Sequence, residues 1–238
     1  MNDKVTFTID GRQVTGRKDQ TILEAAEDAG IYIPRLCWAR DLAPGGSCRV
    51  CTVMVNGRAQ ASCRQPVAEG IMVENDTDRM NAYRRDLIDM LFVEGNHFCM
   101  FCEKSGNCEL QATAYRLGIL APKYPYLFPK REVDATHPDV LIDQNRCILC
   151  GRCVRASRQL DRKNVFQFVG RGHRKKVGFN AEEALGDTDL KVTDKAVRLC
   201  PVGAILRKHT GYQIPVGQRL YDWRPIGSNV EAEKHKSS

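Results

Sequence analysis

The sequence predicts an α+β chain of small modules in series, and three observations carry that prediction. Residues 4–74 give strand, helix and strand signals in turn, residues 79–117 change to helical periodicity, and 11 cysteines fall into three groups along the chain. A length of 238 residues is enough for two or three such domains, each with a modest core.

The first module is assigned to residues 1–78. Lys4 to Asp10 (KVTFTID) alternates as a strand, Gly11 turns it, and Gln13 to Thr15 begins a return strand. Thr21-Ile22-Leu23-Glu24 has the spacing of a capping box ahead of Leu23, Ala25, Ala26 and Ala29, and Gly30 supplies the stop, which predicts a helix over 21–29. Thr52 to Val55, the turn Asn56-Gly57 and Arg58 to Ser62 read as a hairpin, and Ile71 to Glu74 as a further strand. Two strands, a helix and then more strands is the order of a β-grasp domain.

From Arg79 to Glu94 the pattern is helical, with Met80, Tyr83, Leu87, Met90 and Leu91 on one face and Gly95 as the end. A second short helix is expected from Cys108 to Leu117, ended by Gly118, so residues 79–120 form a small helical domain. Pro122, Pro125, Pro129 and Pro138 make 121–138 an extended connector. The third module, 139–210, opens at Val140-Leu141-Ile142 and contains CILCGRC, a hairpin (Asn164 to Val169, GRGH, Lys175 to Phe179) and Cys200-Pro201. The tail, 211–238, is polar, with Trp223 as an isolated apolar anchor, and its final EAEKHKSS is expected to be disordered.

The opening MNDKVTFTID has no basic stretch followed by an apolar one, so the cysteines are expected as thiols in the reducing cytoplasm, where C-x2-C pairs are metal or redox sites more often than disulfides. No apolar run approaches the roughly 18 residues of a membrane span. The formal net charge of +7 raises the question of an acidic partner or of nucleic acid.

The cysteines answer part of that question. Cys37, Cys48, Cys51 and Cys63 are separated by gaps of 10, 2 and 11 residues, and the loop PGGSCRVC with the following hairpin can close four thiolates around a 2Fe-2S core. Gly45 and Gly46 fit a loop whose amides approach sulfides closely. A four-cysteine zinc site is the alternative, but such sites favour two C-x2-C knuckles and this group has one. Cys147, Cys150 and Cys153, followed after 46 residues by Cys200-Pro201, carry a 4Fe-4S signature. Where a two-cluster ferredoxin would place its other four ligands stand Ser157, Leu190, Thr193 and Ala196, so this module is expected to bind one cluster.

Subtraction leaves Cys99, Cys102 and Cys108 in NHFCMFCEKSGNCELQ, with no fourth cysteine. The nearest strong ligand is His97, and a neutral imidazole in place of a thiolate makes a cluster less negative and raises its potential. Otherwise His97 is a capping residue and Glu94 or a solvent oxygen completes the site. The expected cofactors are thus one 2Fe-2S and two 4Fe-4S clusters, and eleven thiolates around three oxidised cores cancel most of the basic excess. Residues 146–176 carry ten basic side chains against one acid, Asp161: a docking face for an acidic partner, counter-charge for the neighbouring cluster, or a solvated face.

No G-x-G-x-x-G follows a strand and no P-loop is present. No acid–base pair or nucleophile stands out, so no catalytic residue is assigned and electron transfer is the expected role. The alternative from another class is a zinc-stabilised nucleic-acid-binding protein.

The order of the three sites, with PGGSCRVC, CEKSGNCELQ, RCILCGRCVR and LCPVGAI, resembles the N-terminal iron-sulfur region of the large peripheral-arm subunit of respiratory NADH:quinone oxidoreductase and the matching segment of iron-only hydrogenases, over roughly residues 1–210. That resemblance implies a helical 4Fe-4S motif of one histidine and three cysteines. The family usually has His-x3-Cys, whereas His97 stands one residue before Cys99 and Gly95 holds the family position. The length leaves no room for the large domains that follow in those relatives, and a free-standing unit of this size is similar to the small diaphorase (gamma) subunits of cytoplasmic NAD-reducing nickel-iron hydrogenases. This similarity implies electron relay in H2-driven NAD+ reduction. FMN and NAD would lie on a flavin-containing diaphorase large subunit, the nickel-iron centre on hydrogenase small and large subunits, and the connector and tail against these partners. Equivalent subunits of an NAD-linked formate dehydrogenase, of NADH:quinone oxidoreductase or of an NADP-linked hydrogenase are the nearest alternatives.

Overall fold

In the computed structural model, which describes residues 3–232, strand β1 (Lys4–Ile9) pairs antiparallel with β2 (Arg12–Arg17), Phe7 opposite Val14. The inward residues Val5, Phe7, Ile9 and Val14 alternate with polar ones, and the apolar face they make is covered by α1 (Ile22–Asp28). The expected capping box is formed: Glu24 N donates to Thr21 Oγ1 at 3.3 Å and Thr21 N to Glu24 Oε2 at 2.8 Å. The hairpin β3 (Thr52–Val55) and β4 (Arg58–Ala61) turns at Asn56 and Gly57, whose φ angles of 47° and 78° are those of the tight turn that matches strand twist. Strand β5 (Met72–Glu74) then lies parallel to β1 and antiparallel to β3, giving the sheet order β2-β1-β5-β3-β4.

Helix α2 (Asp78–Val93) is capped by Thr77, but its buried face differs from the one expected. Met80, Arg84, Ile88, Asp89 and Val93 turn inward, while Tyr83 and Met90 are 38 % and 41 % exposed. The reason is that neighbouring backbone needs charged partners. The Arg84 guanidinium, fully buried, donates to the carbonyls of Val50 (3.2 Å), Thr52 (3.0 Å) and Asn75 (2.8 Å), and to Asn75 Oδ1 (2.7 Å). Asp89 accepts from Lys123 N at 2.9 Å and Tyr124 N at 3.2 Å, which straps the connector to the helix.

Helix α3 (Glu109–Arg116) begins at Cys108 and closes at Gly118, φ 73°. The connector is extended at first, held by Leu127 N to Val93 O (3.1 Å) and by Asn96 Nδ2 to Pro129 O (2.6 Å). Its end corrects the expectation of a plain linker, since β6 (Val133–Asp134) joins a sheet with β7 (Val140–Asp143). The rest of the third segment is α4 (Arg152–Gln159), the hairpin β8 (Phe166–Val169) and β9 (Lys176–Phe179), α5 (Lys195–Arg198), and β10 (Ile205–Arg207), which completes the order β10-β7-β6. One apolar core runs through all three segments, joining Leu36 and Val50 to Ile88, Leu110, Ile142, Ala156 and Val202. No helix among the described residues is long and apolar enough to cross a membrane.

The tail folds back on its own chain. Arg219 Nη1 donates to Ser105 O (3.0 Å), Leu220 N to Asn107 Oδ1 (2.9 Å) and Tyr221 N to Gly106 O (2.8 Å), and α6 (Ser228–Ala232) is tied by Glu231 to Arg116 at 2.5 Å. Trp223 is not the anchor: it is 65 % exposed with the Arg224 guanidinium over its ring, while Ile226 and Val230 bury against Tyr32 and Ala112. Of the final EAEKHKSS, Glu231 and Ala232 are helical and residues 233–238 lie outside the described residues.

Replacing Arg84 with Met leaves four buried acceptors without their donor. The expected loss is about 3 kcal/mol, the scale for removing one side of a buried, hydrogen-bonded charge. Thermal unfolding measures it, with Arg84→Lys restoring little because an ammonium cannot reproduce the fork. An unchanged midpoint in Arg84→Met would refute the role of Arg84 as the tie between α2 and the first sheet.

Candidate iron-sulfur sites

The structure brings the first cysteine group together. Cys37 lies beyond α1, Cys48 and Cys51 in the loop before β3, and Cys63 just after β4; Cys37, Cys51 and Cys63 are buried and Cys48 half-buried. The Cys37 amide donates to Cys48 Sγ at 3.4 Å, and Ser62 Oγ to the Cys51 carbonyl at 2.8 Å. The four thiols are close enough to compete for protons, Cys37 with Cys48 and Cys63, and Cys63 with Cys51. Hydrogen bonds from Cys48 and Cys63 hold Cys37 far below the usual thiol range, and one from Cys63 brings Cys51 down to about 7. Cys48 and Cys63 are pushed up in return. The loop reaches this shape through positive φ at Gly46 (68°) and at Arg49 (60°), the second of which carries no sequence signal.

All four cysteines of the third group, Cys147, Cys150, Cys153 and Cys200, line one cavity whose other walls are Ile142, Ile148, Val177, Val202 and Ile205. Burial pushes the Cys147 thiol up to about 11, Cys150 to about 12 and Cys153 well above its ordinary value. Bare thiolates do not persist in so apolar a cage. Four of them around a cationic inorganic core do, and the donor set fits a 4Fe-4S cluster. The backbone bends round the cavity with positive φ at Leu149 (52°) and Gly151 (68°). The positions that a second cluster would use are otherwise occupied. Ser157 Oγ accepts from Val165 N at 2.7 Å, Leu190 and Ala196 are packed in the apolar core, and Thr193 is exposed.

The second group is looser. Cys99 sits in a single 3-10 turn, Cys102 follows it and both are half-buried, while Cys108 is buried at the N-cap of α3 and raised to about 12 by burial. His97 and Cys99 line one pocket, walled by Phe92, Tyr115 and Tyr126. Burial lowers His97 to about 4, so its imidazole is neutral. Its Nε2 is buried with no partner. A neutral histidine with a buried, unpartnered nitrogen is in the state in which histidine ligates metal. A Cβ on Gly95 would lie 2.7 Å from that Nε2 and 2.8 Å from the Asn145 carbonyl. The imidazole of His97 therefore reaches back to the space a side chain at position 95 would fill. Glu94, the other candidate, is exposed.

Three arginines, legible in the sequence only as part of a basic run, sit between the groups. Arg146 Nη1 lies 3.6 Å from Cys102 Sγ and pairs with Glu103 (2.9 Å) and Asp143, and a Cβ on Gly203 would meet Cys102 Sγ at 2.6 Å. Arg152, buried, makes a two-pronged pair with Glu109 at 2.6 and 2.7 Å, beside Glu109 N to Pro201 O at 2.8 Å. Arg155 Nη2 donates to the carbonyls of Cys37 (2.5 Å) and Cys150 (3.3 Å). The third group thus stands between the other two. The run divides: Arg146, Arg152, Arg155 and Lys163, the last paired with Asp194 at 2.7 Å, are buried or half-buried, and the other six basic residues are exposed. Among the described residues no three His, Cys, Asp or Glu side chains are placed to hold one metal ion.

Three family descriptions match in succession: a 2Fe-2S iron-sulfur cluster binding domain over residues 2–78, the NADH-ubiquinone oxidoreductase-G iron-sulfur binding region over 84–122, and a 4Fe-4S single cluster domain over 140–206. The chain is 39 % identical to the NAD-reducing hydrogenase HoxS subunit gamma of Cupriavidus necator over 93 % of its length and 95 % of that protein. It is 34 % identical to the mitochondrial NADH-ubiquinone oxidoreductase 78 kDa subunit of Candida albicans, over 97 % of this chain but 33 % of the larger protein. A solved chain in a crystal structure of NAD+-reducing [NiFe]-hydrogenase in the H2-reduced state superposes with a TM-score of 0.91 at 47 % identity, covering 94 % of this chain and 95 % of that one.

A methyl group at position 95 should displace the His97 ring. Gly95→Ala is expected to reduce iron content and to remove the spectroscopic signature of the second site alone, leaving the other two. Iron analysis with low-temperature EPR checks this, and a wild-type spectrum would mean that the ring is not at the site.

Proposed function

The chain belongs to the gamma-subunit family of NAD-reducing hydrogenases, and from that premise we propose which residues make it an electron relay. It is an iron-sulfur subunit of an NAD-linked oxidoreductase, a mixed α+β chain with 2Fe-2S and 4Fe-4S binding domains. Cys37, Cys48, Cys51 and Cys63 hold the 2Fe-2S cluster, on a sheet whose order and parallel β1–β5 pairing support the β-grasp reading. Cys147, Cys150, Cys153 and Cys200 hold one 4Fe-4S cluster. His97, Cys99, Cys102 and Cys108 hold the other, with Nε2 of His97 as the fourth ligand atom.

When bound, these clusters supply one-electron exchange without making or breaking bonds to substrate. The protein's part is to place and tune them. Ile142, Ile148, Val177, Val202 and Ile205 keep water from the central site, so little solvent must reorient on electron arrival. Amides donating to sulfur, Cys37 N to Cys48 and Leu149 N to Cys147, both at 3.4 Å, favour the more negative reduced state and raise its potential. The observation that carries the relay reading is the placement of the third cysteine group, in contact with the first through Arg155 and with the second through Arg146 and Gly203. That contact order runs from the 2Fe-2S site through the Cys147 group to the His97 group.

The partners at the two ends are a flavin-containing diaphorase large subunit carrying FMN and NAD, and hydrogenase small and large subunits carrying the nickel-iron centre, in a cytoplasmic complex that couples H2 oxidation to NAD+ reduction. The native complex is expected to contain nickel, flavin and about ten irons per copy of this chain, from one two-iron and two four-iron clusters. A colourless chain containing zinc would sink the reading. Within the complex, His97→Cys is expected to keep the second cluster while lowering its potential, because a thiolate adds negative charge, and His97→Ala to lose it; EPR-monitored redox titration distinguishes these, and a His97→Ala cluster with unchanged potential would remove His97 from the ligand set.

A further inference from the structure

We propose that Arg155 is a positioning residue shared by two clusters, raising the potentials of the 2Fe-2S site and of the Cys147 site together and joining their ligand loops. The inference rests on the cluster assignment above. Its basis is one guanidinium on α4 that touches the backbone of a ligand from each group: Nη2 donates to the Cys37 carbonyl at 2.5 Å and to the Cys150 carbonyl at 3.3 Å. The remaining donors fix its pose, Nη1 to the Ala43 carbonyl at 2.6 Å and Nε to the Gly151 carbonyl at 3.2 Å. Gln159, one turn further along α4, accepts from Ala43 N at 3.0 Å, so the same helix face holds the loop twice.

The loop residue facing the guanidinium must be small. A Cβ on Gly45 would lie 3.3 Å from both the central carbon and Nη2 of Arg155, tight enough to press on it. Gly45 therefore serves the contact with Arg155 as well as the cluster loop itself.

Charge separates Arg155 from its neighbours. Arg146 is offset by Glu103 and Asp143, and Arg152 by Glu109, whereas among the described residues no carboxylate pairs with Arg155. A guanidinium keeps its proton throughout the working pH range. Its uncompensated charge, half-buried and close to two ligand loops, stabilises an added electron at either site, because Coulomb energy falls only with distance and local screening. When one electron passes between the two sites, one is oxidised and the other reduced, with no proton moved and no bond broken. The carbonyl–guanidinium–carbonyl bridge keeps their loops in fixed register throughout.

The test is EPR-monitored redox titration of the intact complex carrying Arg155→Gln, beside the unaltered complex. The expected result is that both midpoint potentials, of the 2Fe-2S cluster and of the Cys147 cluster, move to more negative values while that of the His97 cluster stays. Unchanged midpoints, or a shift at one site only, would overturn the proposal. If the glutamine variant fails to load both clusters, Arg155→Lys decides. It keeps the charge but cannot span both carbonyls, so both clusters should load with midpoints close to those of the unaltered complex, and a midpoint moved to more negative values at either site despite the retained charge would overturn the proposal. Absence of iron signals from the unaltered complex would count against the cluster assignment instead, so the two failures are distinguishable.

Discussion

A thiolate buried without positive charge beside it takes up a proton, and the fold is organised around that constraint. Burial, with a smaller push from neighbouring cysteines, raises Cys108, Cys147 and Cys150 to about 11 or 12, so at neutral pH these side chains are ligands only when something cationic shares their cavity. An inorganic core supplies most of that charge and arginines adjust the remainder. Arg146 stands against Cys102 Sγ and Arg155 against the Cys37 and Cys150 carbonyls, while Arg158, Arg162, Arg171, Arg174, Lys175 and Lys176 of the same basic run are exposed. On the proposed cluster assignment, the formal excess of +7 counts the chain without the thiolates and cores of those clusters.

What the sequence disclosed and what it hid follow from range. The capping box at Thr21 and the Asn56-Gly57 hairpin are local devices, each readable in a few residues, and each appears where expected. Arg84 and Arg155 act on backbone carbonyls 34 and 118 residues away, which no periodicity encodes. The inward face of α2 was misread for the same reason: counting apolar residues selects Tyr83 and Met90, while the line that turns inward follows the unmet acceptors of Val50, Thr52 and Asn75. Trp223 misled in the opposite sense. Its size made it the obvious anchor, but Ile226 and Val230 are the tail residues that bury against Tyr32 and Ala112.

The proposed ligation by His97 departs from the family spacing, and the position of its ring supports it nonetheless. Moving the histidine two residues nearer to Cys99 would displace its ring if the backbone were a rigid rod. Here the ring instead folds back toward Gly95, close enough that a Cβ there would meet Nε2 at 2.7 Å. A glycine at 95 and a histidine at 97 are therefore one structural unit. Spacing rules describe where a ligand atom leaves the backbone, whereas a cluster responds only to where the nitrogen arrives.

The shared core gives the relay its mechanical character. Modules joined only by linkers would let their redox sites separate, and electron exchange between separate centres weakens steeply as they move apart. In this chain Leu36 and Val50 from the first segment, Ile88 and Leu110 from the second and Ile142 and Val202 from the third pack into one continuous apolar body. Close packing of that kind resists sliding, because even small displacements open voids or force overlaps. The tail adds a further tie by hydrogen-bonding the loop of Ser105, Gly106 and Asn107 between Cys102 and Cys108. Rigidity at the sites is thereby obtained from apolar packing between segments, which leaves the polar atoms near each cluster free to set its potential.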